Sequence, residues 1–154
     1  MVKTWQCGRF EFPLDRPVLM GVINVTPDSF SDGGQHVAAE AAIKHARQLI
    51  KQGARIIDIG GESSRPGAEP VLAKRELDRI MPVLESLRHA DVALSVDTSK
   101  PEVMKVTLDA GADIINDITG FKDPKAQALV AEHGRCGVCV MHMQGEPRSM
   151  QQAP

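Results

Sequence analysis

Apolar runs alternate with amphipathic stretches along this chain. Five of the runs are apolar at successive positions, which is typical of strands that are buried on both faces of a parallel sheet. These runs cover residues 18–25, 54–59, 92–97, 113–118 and 137–143. The amphipathic stretches predict four intervening helices, over about 37–52, 71–88, 101–109 and 124–133. Because strand and helix alternate regularly, the sequence predicts an α/β fold with a parallel sheet.

Glycine and proline mark the ends of the predicted elements. Asp123 followed by Pro124 is typical of a helix start, and Pro82 predicts a kink or a break inside the second helix. Residues 74–76 of that helix, Lys-Arg-Glu, are expected to form a solvated face. Residues 4–12 alternate around a glycine and predict a hairpin or an edge strand. The glycines that are expected to end helices are Gly53, Gly111 and Gly134.

Composition narrows the class of protein. The 154 residues include 18 basic and 20 acidic side chains, which gives a net charge of −2. Nucleic-acid-binding surfaces are strongly basic, so this composition argues against a nucleic-acid-binding protein. No run approaches the roughly 18 apolar residues of a membrane helix, and the N-terminal segment lacks the apolar core of a secretory signal. Three cysteines are too few for a disulfide scaffold, so we expect a reducing, cytoplasmic location. Cys136 and Cys139 have the spacing of a redox motif or of half a zinc site. They lie at the start of an apolar strand and lack a second pair, so we interpret them as core or strand-edge thiols.

Polar residues stand where the predicted strands end. They are Asn24, Asp58, Asp97 and Asn116 for the first four strands, and Met141 and His142 follow the fifth. Buried polar groups are costly unless they are hydrogen-bonded, and each one alone could be an ordinary strand-end residue. A whole set at corresponding ends indicates the active-site face of a (β/α) barrel, where residues from different strands converge.

Two loops directly follow the first two of these strand ends. Residues 26–34 and 62–67 are rich in small residues, so their backbone N–H groups can face an anion. Arg65 adds a planar charged group that suits a phosphate or a carboxylate. Phe30 is an aromatic residue in a polar loop, which favours a ligand-covering loop over an ordinary surface turn.

These loops closely resemble the signature segments of dihydropteroate synthases. The resemblance covers residues 19–34 (LMGVINVTPDSFSDGG) and 58–68 (DIGGESSRPGA), and continues through 96–101, 115–117 and 141–145 in the same order. It implies a TIM (β/α)8 barrel that joins 6-hydroxymethyl-7,8-dihydropterin diphosphate to p-aminobenzoate, giving 7,8-dihydropteroate and pyrophosphate in folate biosynthesis. It further implies Mg²⁺ as a cofactor, inhibition by sulfonamides and a homodimeric full-length protein.

The resemblance also implies roles for residues at the strand ends. Asn24 matches the residue that binds Mg²⁺ and the diphosphate, and a carbonyl oxygen suits that hard cation. Asp97 and Asn116 match residues that hydrogen-bond the pterin ring, and Asp97 could also stabilise positive charge on the pterin during the reaction. Asp97 and Asn24 are therefore the predicted catalytic residues. Met141 matches a residue that packs on the pterin.

Loop residues match ligand contacts in the same way. Ser64 and Arg65 correspond to contacts of the second loop, where the family more often has threonine at the position of Ser64. Phe30, Asp32 and Pro66 correspond to residues that build the p-aminobenzoate site. Asp58 corresponds to an acid of the family motif, for which we expect a structural or supporting role.

Two other functions stay open at this stage. One is a pterin-dependent methyltransferase domain, which should lack both loops. The other is an inactive relative or an incomplete enzyme, because a (β/α)8 barrel takes about 250 residues and the chain provides five strands. We therefore expect residues 1–154 to be a single pterin-binding barrel domain that is incomplete at its C-terminal end.

Overall fold

The computed structural model describes residues 2–25, 34–62 and 71–142. A hairpin precedes a repeating strand–helix pattern, in agreement with the predicted order of elements. The elements are β1 (Thr4–Cys7), β2 (Phe10–Pro13), β3 (Met20–Asn24), α1 (Gly34–Lys51), β4 (Ile56–Gly60), α2 (Ala73–Leu87), β5 (Ala93–Asp97), α3 (Pro101–Asp109), β6 (Ile114–Asp117), α4 (Pro124–His133) and β7 (Gly137–Val140).

The main sheet is parallel, and its strand order β3-β4-β5-β6-β7 is the order of the sequence. Each neighbour is added on the same side, as in a barrel, and β1 and β2 form a separate antiparallel hairpin. The strand predictions were therefore correct in number and type. The last strand is shorter than predicted, because it ends at Val140 and leaves Met141 and His142 beyond it.

Helices cover one face of the sheet and form the larger core. Ile57, Ile59, Leu94 and Val96 from the strands are fully buried in this cluster. A kink or a break was predicted at Pro82, and the break is wrong, since α2 runs unbroken from Ala73 to Leu87. The ring of Pro82 lies on the exposed side of α2, where water can bind the carbonyl that loses its helical partner.

The hairpin closes the N-terminal end of the opposite face of the sheet. Cys7 and Phe12 pack there against Ile56, Ala93 and Ile114, the first inward-facing residues of β4, β5 and β6. This small cluster fills the end of the sheet away from the polar strand ends. It therefore leaves the C-terminal end of the same face to the predicted site.

One buried carboxylate attaches the hairpin to the sheet. Asp113, which is 1 % exposed, accepts hydrogen bonds from Arg9 Nε, from Arg9 Nη2 at 2.8 Å and from the backbone N–H of Leu94. Gly8 approaches it so closely that a Cβ would lie 2.5 Å from Asp113 Oδ1, and its φ of +55° also favours glycine. The contact fixes how the hairpin sits beneath the strands.

The start of α4 gives a direct test of a predicted cap. The Asp123 side chain accepts a hydrogen bond from Lys125 N at 2.8 Å, and Pro124 occupies the first helical turn. We expect Asp123→Ala to lower the free energy of unfolding by about 1 kcal/mol, the usual cost of a lost N-cap. Urea unfolding measures this, with Asp109→Ala at the exposed end of α3 as the control. Equal midpoints for the two variants would contradict the assignment.

Among the described residues, none of the helices α1 to α4 combines the length and the hydropathy that a membrane-spanning helix requires. Exposed apolar side chains occur on the two outer strands of the sheet, where Val22 is 55 % and Val140 is 60 % exposed. Both strands pair on one side only among the described residues.

Candidate functional site

A single row of residues crosses the C-terminal end of the sheet. In register, Asn24 lies beside Gly60, Gly60 beside Asp97, Asp97 beside Asn116, and Asn116 beside Cys139. Neighbouring strands are about 4.8 Å apart, and residues in register point to the same face. The structure thus brings together Asn24, Asp97 and Asn116, which were predicted to converge from separate strand ends. Asn24 is exposed, whereas Asp97 and Asn116 are half-buried.

Gly60 is the one residue without a side chain in this row. A Cβ at that position would lie 3.2 Å from Asn24 Oδ1 and 3.7 Å from Asp97 Oδ2. Because glycine carries no side chain, two oxygen acceptors from β3 and β5 lie close to its backbone and border the gap that a Cβ would fill. A larger residue there would fill the gap and crowd both oxygens.

A buried carboxylate supports the row from one layer below. Asp58 is 3 % exposed and lies beside Ser95 in the sheet register. Ser95 Oγ donates a hydrogen bond to Asp58 Oδ1, and Asn116 Nδ2 donates one to Asp58 Oδ2 at 3.1 Å. Asp58 therefore contacts a site residue without standing in the row itself, as expected for a supporting acid.

The Asp97 carboxyl lies in an environment that disfavours its charge. Burial, followed by the negative charges of Asp58, Glu76, Asp117 and Glu62, raises the pKa of Asp97 to about 7. In the ligand-free protein this group therefore gains and loses a proton near neutral pH. A ligand that donates hydrogen bonds to it would favour the charged form.

Lys100 joins two acids beside the row, three residues after Asp97. Its Nζ donates hydrogen bonds to a Glu62 oxygen and, at 2.7 Å, to Glu76 Oε2. Burial lowers the pKa of Lys100, but the hydrogen bonds to Glu62 and Glu76 outweigh it, so the pKa is raised overall. Glu62 Oε1 also accepts a hydrogen bond from the backbone N–H of Val71. This bond links the residue before segment 63–70 to the residue after it.

The predicted solvated face of α2 was wrong at one position. Lys74 and Arg75 are exposed, but Glu76 has no exposed surface. The helix turns Glu76 towards the loop after β5, and Lys100 supplies the positive charge that makes its burial tolerable. Hydropathy alone could not show this, because the cation comes from a segment 24 residues away in the sequence.

The fifth strand contributes one residue that sequence reasoning missed. Cys139, interpreted as a core or strand-edge thiol, stands in the polar row beside Asn116 and is partly exposed. Burial, followed by the charges of Asp58 and Asp97, raises the pKa of its thiol, which is therefore uncharged at neutral pH. Met141 is half-buried just past the strand, and His142 is exposed. Side chains of a strand point alternately to its two faces, and this alternation along β7 could have placed Cys139 on the same face as the row.

Five predicted ligand contacts lie outside the described residues. They belong to the two loops and are Phe30, Asp32, Ser64, Arg65 and Pro66. Their predicted roles stay predictions.

The donor atoms at the row suit a magnesium ion that also binds a phosphate. Among the described residues, no group of three histidine, cysteine or acidic side chains could hold a metal alone. Asn24 Oδ1 is an exposed neutral oxygen, and the carboxylate of Asp97 borders the same gap. Mg²⁺ is typically held by few protein oxygens together with substrate phosphates and water, so the residues present fit this ion.

Comparison with known proteins points to one family. The model of the family described as "Pterin binding enzyme" matches residues 20–154. The dihydropteroate synthase of Escherichia coli strain K12 is 53% identical over 142 residues, which are 92% of this chain and 50% of that protein. The chain spans about half the length of the curated relatives it matches.

Solved structures give the same result for the fold. The Burkholderia cenocepacia dihydropteroate synthase complexed with 7,8-dihydropteroate is 48% identical, with a TM-score of 0.83 over 97% of this chain and 49% of that one. The Xanthomonas albilineans enzyme with 4-aminobenzoic acid is 48% identical, with a TM-score of 0.86 over 94% of this chain and 53% of that one. The predicted fold is confirmed: the parallel sheet and its helices are part of a TIM barrel.

Proposed function

Because this chain belongs to the family of pterin binding enzymes, we propose that it acts as a dihydropteroate synthase. The reaction joins 6-hydroxymethyl-7,8-dihydropterin diphosphate to p-aminobenzoate and releases pyrophosphate. The observation that carries the proposal is the row of Asn24, Asp97 and Asn116 at adjacent strand ends. The identity to the E. coli enzyme, over nearly the whole of this chain, supports it further.

The described residues offer hydrogen-bond acceptors that would recognise the pterin. The ring offers several N–H donors, and Asp97 and Asn116 present acceptors from neighbouring strands at one level of the sheet. When ionised, the Asp97 carboxylate can accept two donors at once. Met141, half-buried at the end of β7, would pack against the flat ring.

The chemistry requires that the pterin methylene loses pyrophosphate and gains the amine. The C–O bond to the diphosphate breaks, and its electron pair leaves with pyrophosphate. The nitrogen of p-aminobenzoate then bonds to the methylene carbon and releases a proton. The Asp97 carboxylate would stabilise the positive charge that develops on the pterin ring. Mg²⁺ bound at Asn24 would neutralise charge on the departing pyrophosphate.

The remaining assignments follow from the same proposal. Ser64 and Arg65 would contact the substrates, and Phe30, Asp32 and Pro66 would form the p-aminobenzoate site that sulfonamides compete for. We further propose a cytoplasmic location, which suits three free cysteines. A homodimer of the full-length protein stays a prediction.

Pyrophosphate release tests the proposed activity. The pterin diphosphate, p-aminobenzoate and Mg²⁺ are mixed with the chain and, in parallel, with any longer product of its gene. Turnover that depends on both substrates supports the proposal for the protein that shows it. Binding of 6-hydroxymethyl-7,8-dihydropterin without turnover in every form would instead indicate a pterin-binding relative that is not an enzyme.

Asn24→Ala tests the magnesium assignment. Because the variant loses a neutral oxygen ligand, we expect the Mg²⁺ concentration for half-maximal turnover to rise roughly tenfold, equivalent to about 1.4 kcal/mol. Binding of 6-hydroxymethyl-7,8-dihydropterin, which carries no diphosphate, should be unchanged by calorimetry. A weakened affinity for this ligand with an unaltered Mg²⁺ requirement would place Asn24 at the ring instead.

A further inference from the structure

Asp58 is a buried carboxylate that is hydrogen-bonded to Asn116 in the row but does not itself belong to the row. It lies in register with Ser95, two residues before the row on its own strand. Its two oxygens accept hydrogen bonds from different strands, Oδ1 from Ser95 Oγ and Oδ2 from Asn116 Nδ2. At 3 % exposure it is shielded from direct contact with solvent.

The chemistry of a carboxylate fixes the direction of the Asn116 amide. An ionised carboxylate only accepts hydrogen bonds, so the Asn116 group that faces it must be the NH₂ and not the carbonyl. Asp58 lies on the N-terminal side of the row, and the carbonyl oxygen of Asn116 is therefore turned the other way. Without this contact the amide could present either its donor or its acceptor.

We propose that Asp58 is a positioning residue that fixes the polarity of Asn116, so that the site presents two acceptors side by side, Asn116 Oδ1 and the Asp97 carboxylate. The site then selects a ligand edge that carries neighbouring N–H donors and rejects one that carries an acceptor at the Asn116 position. This inference rests on the proposed pterin-binding function. It adds a residue that acts through another residue and does not touch the ligand.

Asp58 also acts on the second acceptor, Asp97. The negative charge of Asp58 is one of the causes, after burial, that raise the pKa of Asp97. A charged Asp58 therefore acts on both acceptors, since it orients one and favours the protonated form of the other. Ligand N–H donors would offset the second effect by stabilising the Asp97 carboxylate.

A pair of variants at position 58 separates hydrogen bonding from charge. Asp58→Leu removes the acceptor and keeps the branching and the number of side-chain heavy atoms, so the Asn116 amide loses its fixed direction. Asp58→Asn removes the charge but can still turn a carbonyl oxygen towards Asn116. We expect Asp58→Leu to weaken 6-hydroxymethyl-7,8-dihydropterin binding about 30-fold and Asp58→Asn to stay within about threefold of the wild type, as measured by calorimetry. Ser95→Ala, which removes the donor to the other oxygen, is the matched control and should also stay within about threefold.

A measurement on the free protein decides the orientation without any ligand. In ¹⁵N-labelled protein, the side-chain NH₂ of Asn116 should exchange slowly with solvent in the wild type and in Asp58→Asn, and faster in Asp58→Leu. Asn116→Asp identifies the resonance, because the signal disappears. Rapid exchange of this NH₂ in the wild type would overturn the inference even if Asp58→Leu does not fold.

The two readouts distinguish a failure of this inference from a failure of the proposed function. If the wild type shows slow exchange but binds no pterin, the proposed function fails and the orientation of Asn116 stands. If the wild type binds the pterin and Asp58→Leu binds it equally well, Asp58 does not position the acceptor and the inference is wrong. Equal weakening in Asp58→Leu and Asp58→Asn would also overturn it, because charge and not hydrogen bonding would then be the cause.

Discussion

Lys100→Met is expected to lower the free energy of unfolding by about 3 kcal/mol. The variant removes the only cation that is hydrogen-bonded to Glu76 among the described residues and leaves a carboxylate with no exposed surface. Breaking a buried ion pair from one side typically costs about 3–5 kcal/mol, because the remaining charge is uncompensated. We choose the low end because 23% of the Lys100 side chain is exposed, so water can reach part of the gap.

A second substitution shows whether the stranded charge is the cause. The Lys100→Met/Glu76→Gln variant has an uncharged side chain at position 76. Because no unpaired charge is then buried there, at least half of the lost free energy of unfolding should return. Lys105→Met on α3 is the matched control, because its partner Asp109 is an exposed neighbour one turn away. Urea unfolding at pH 7 measures all three. If Lys100→Met and Lys105→Met have equal midpoints, the buried pair does not stabilise the fold.

The same variants also test the hydrogen bond between Glu62 and the backbone N–H of Val71. Lys100 holds Glu62, and Glu62 in turn accepts the N–H of Val71. When Lys100 is lost, Glu62 loses its charged partner whether or not Glu76 is also neutralised. The double variant can therefore regain stability while the Val71 amide remains less protected from hydrogen exchange.

The parallel sheet could be predicted in detail because its signal is local. Continuous apolar runs identify strands that are buried on both faces, and one parallel strand direction then places all their C-terminal ends at one edge. Asn24, Asp97 and Asn116 follow from that rule without any knowledge of contacts. Their alignment in one register row needed only that successive strands are neighbours, as they are in this sheet.

Contacts between residues that are far apart in the sequence could not be predicted from the sequence. Glu76 sits in a run of charged residues, and its burial depends on Lys100 in the loop after β5. The sequence predicted Asp58 at a strand end, which is wrong because β4 continues to Gly60. Its hydrogen bonds to Ser95 and Asn116 depend on how three strands lie in register. Pro82 illustrates the opposite error, since a strong local rule failed where its missing hydrogen bond faces solvent.

Asp97→Ala is expected to weaken binding of 6-hydroxymethyl-7,8-dihydropterin by about 100-fold or more. The carboxylate would accept two ring donors, and hydrogen bonds to charged groups contribute about 1.5–3 kcal/mol each. Calorimetry at pH 8 measures the loss, and Asp97→Asn, which keeps one acceptor, should fall between the wild type and the alanine variant. An unchanged affinity in Asp97→Ala would remove Asp97 from the pterin site.

The raised pKa of Asp97 predicts how this binding changes with pH. The group titrates near 7 in the free protein. In the proposed function the ligand donates hydrogen bonds to it and therefore requires its charged form. Affinity should therefore rise about tenfold per pH unit below 7 and level off above it. Asp97→Asn carries no titrating group at this position and should show no such slope between pH 5 and 8. A flat wild-type profile would show that Asp97 is already charged in the free protein.

Folding stability should change with pH in the opposite direction to binding. The pKa of Asp97 is higher in the folded protein, about 7, than the ordinary value of 3.8, so the folded state binds the proton more tightly. Stability from this group is complete below pH 3.8 and is lost as the pH rises through 7. Asp97→Asn should therefore be more stable than the wild type at pH 8, by about 2–4 kcal/mol, and closer to it at pH 4. If both pH profiles are observed, the Asp97 carboxylate is kept for ligand recognition at the expense of stability. The ligand's N–H donors would then supply the stabilisation that the free protein lacks.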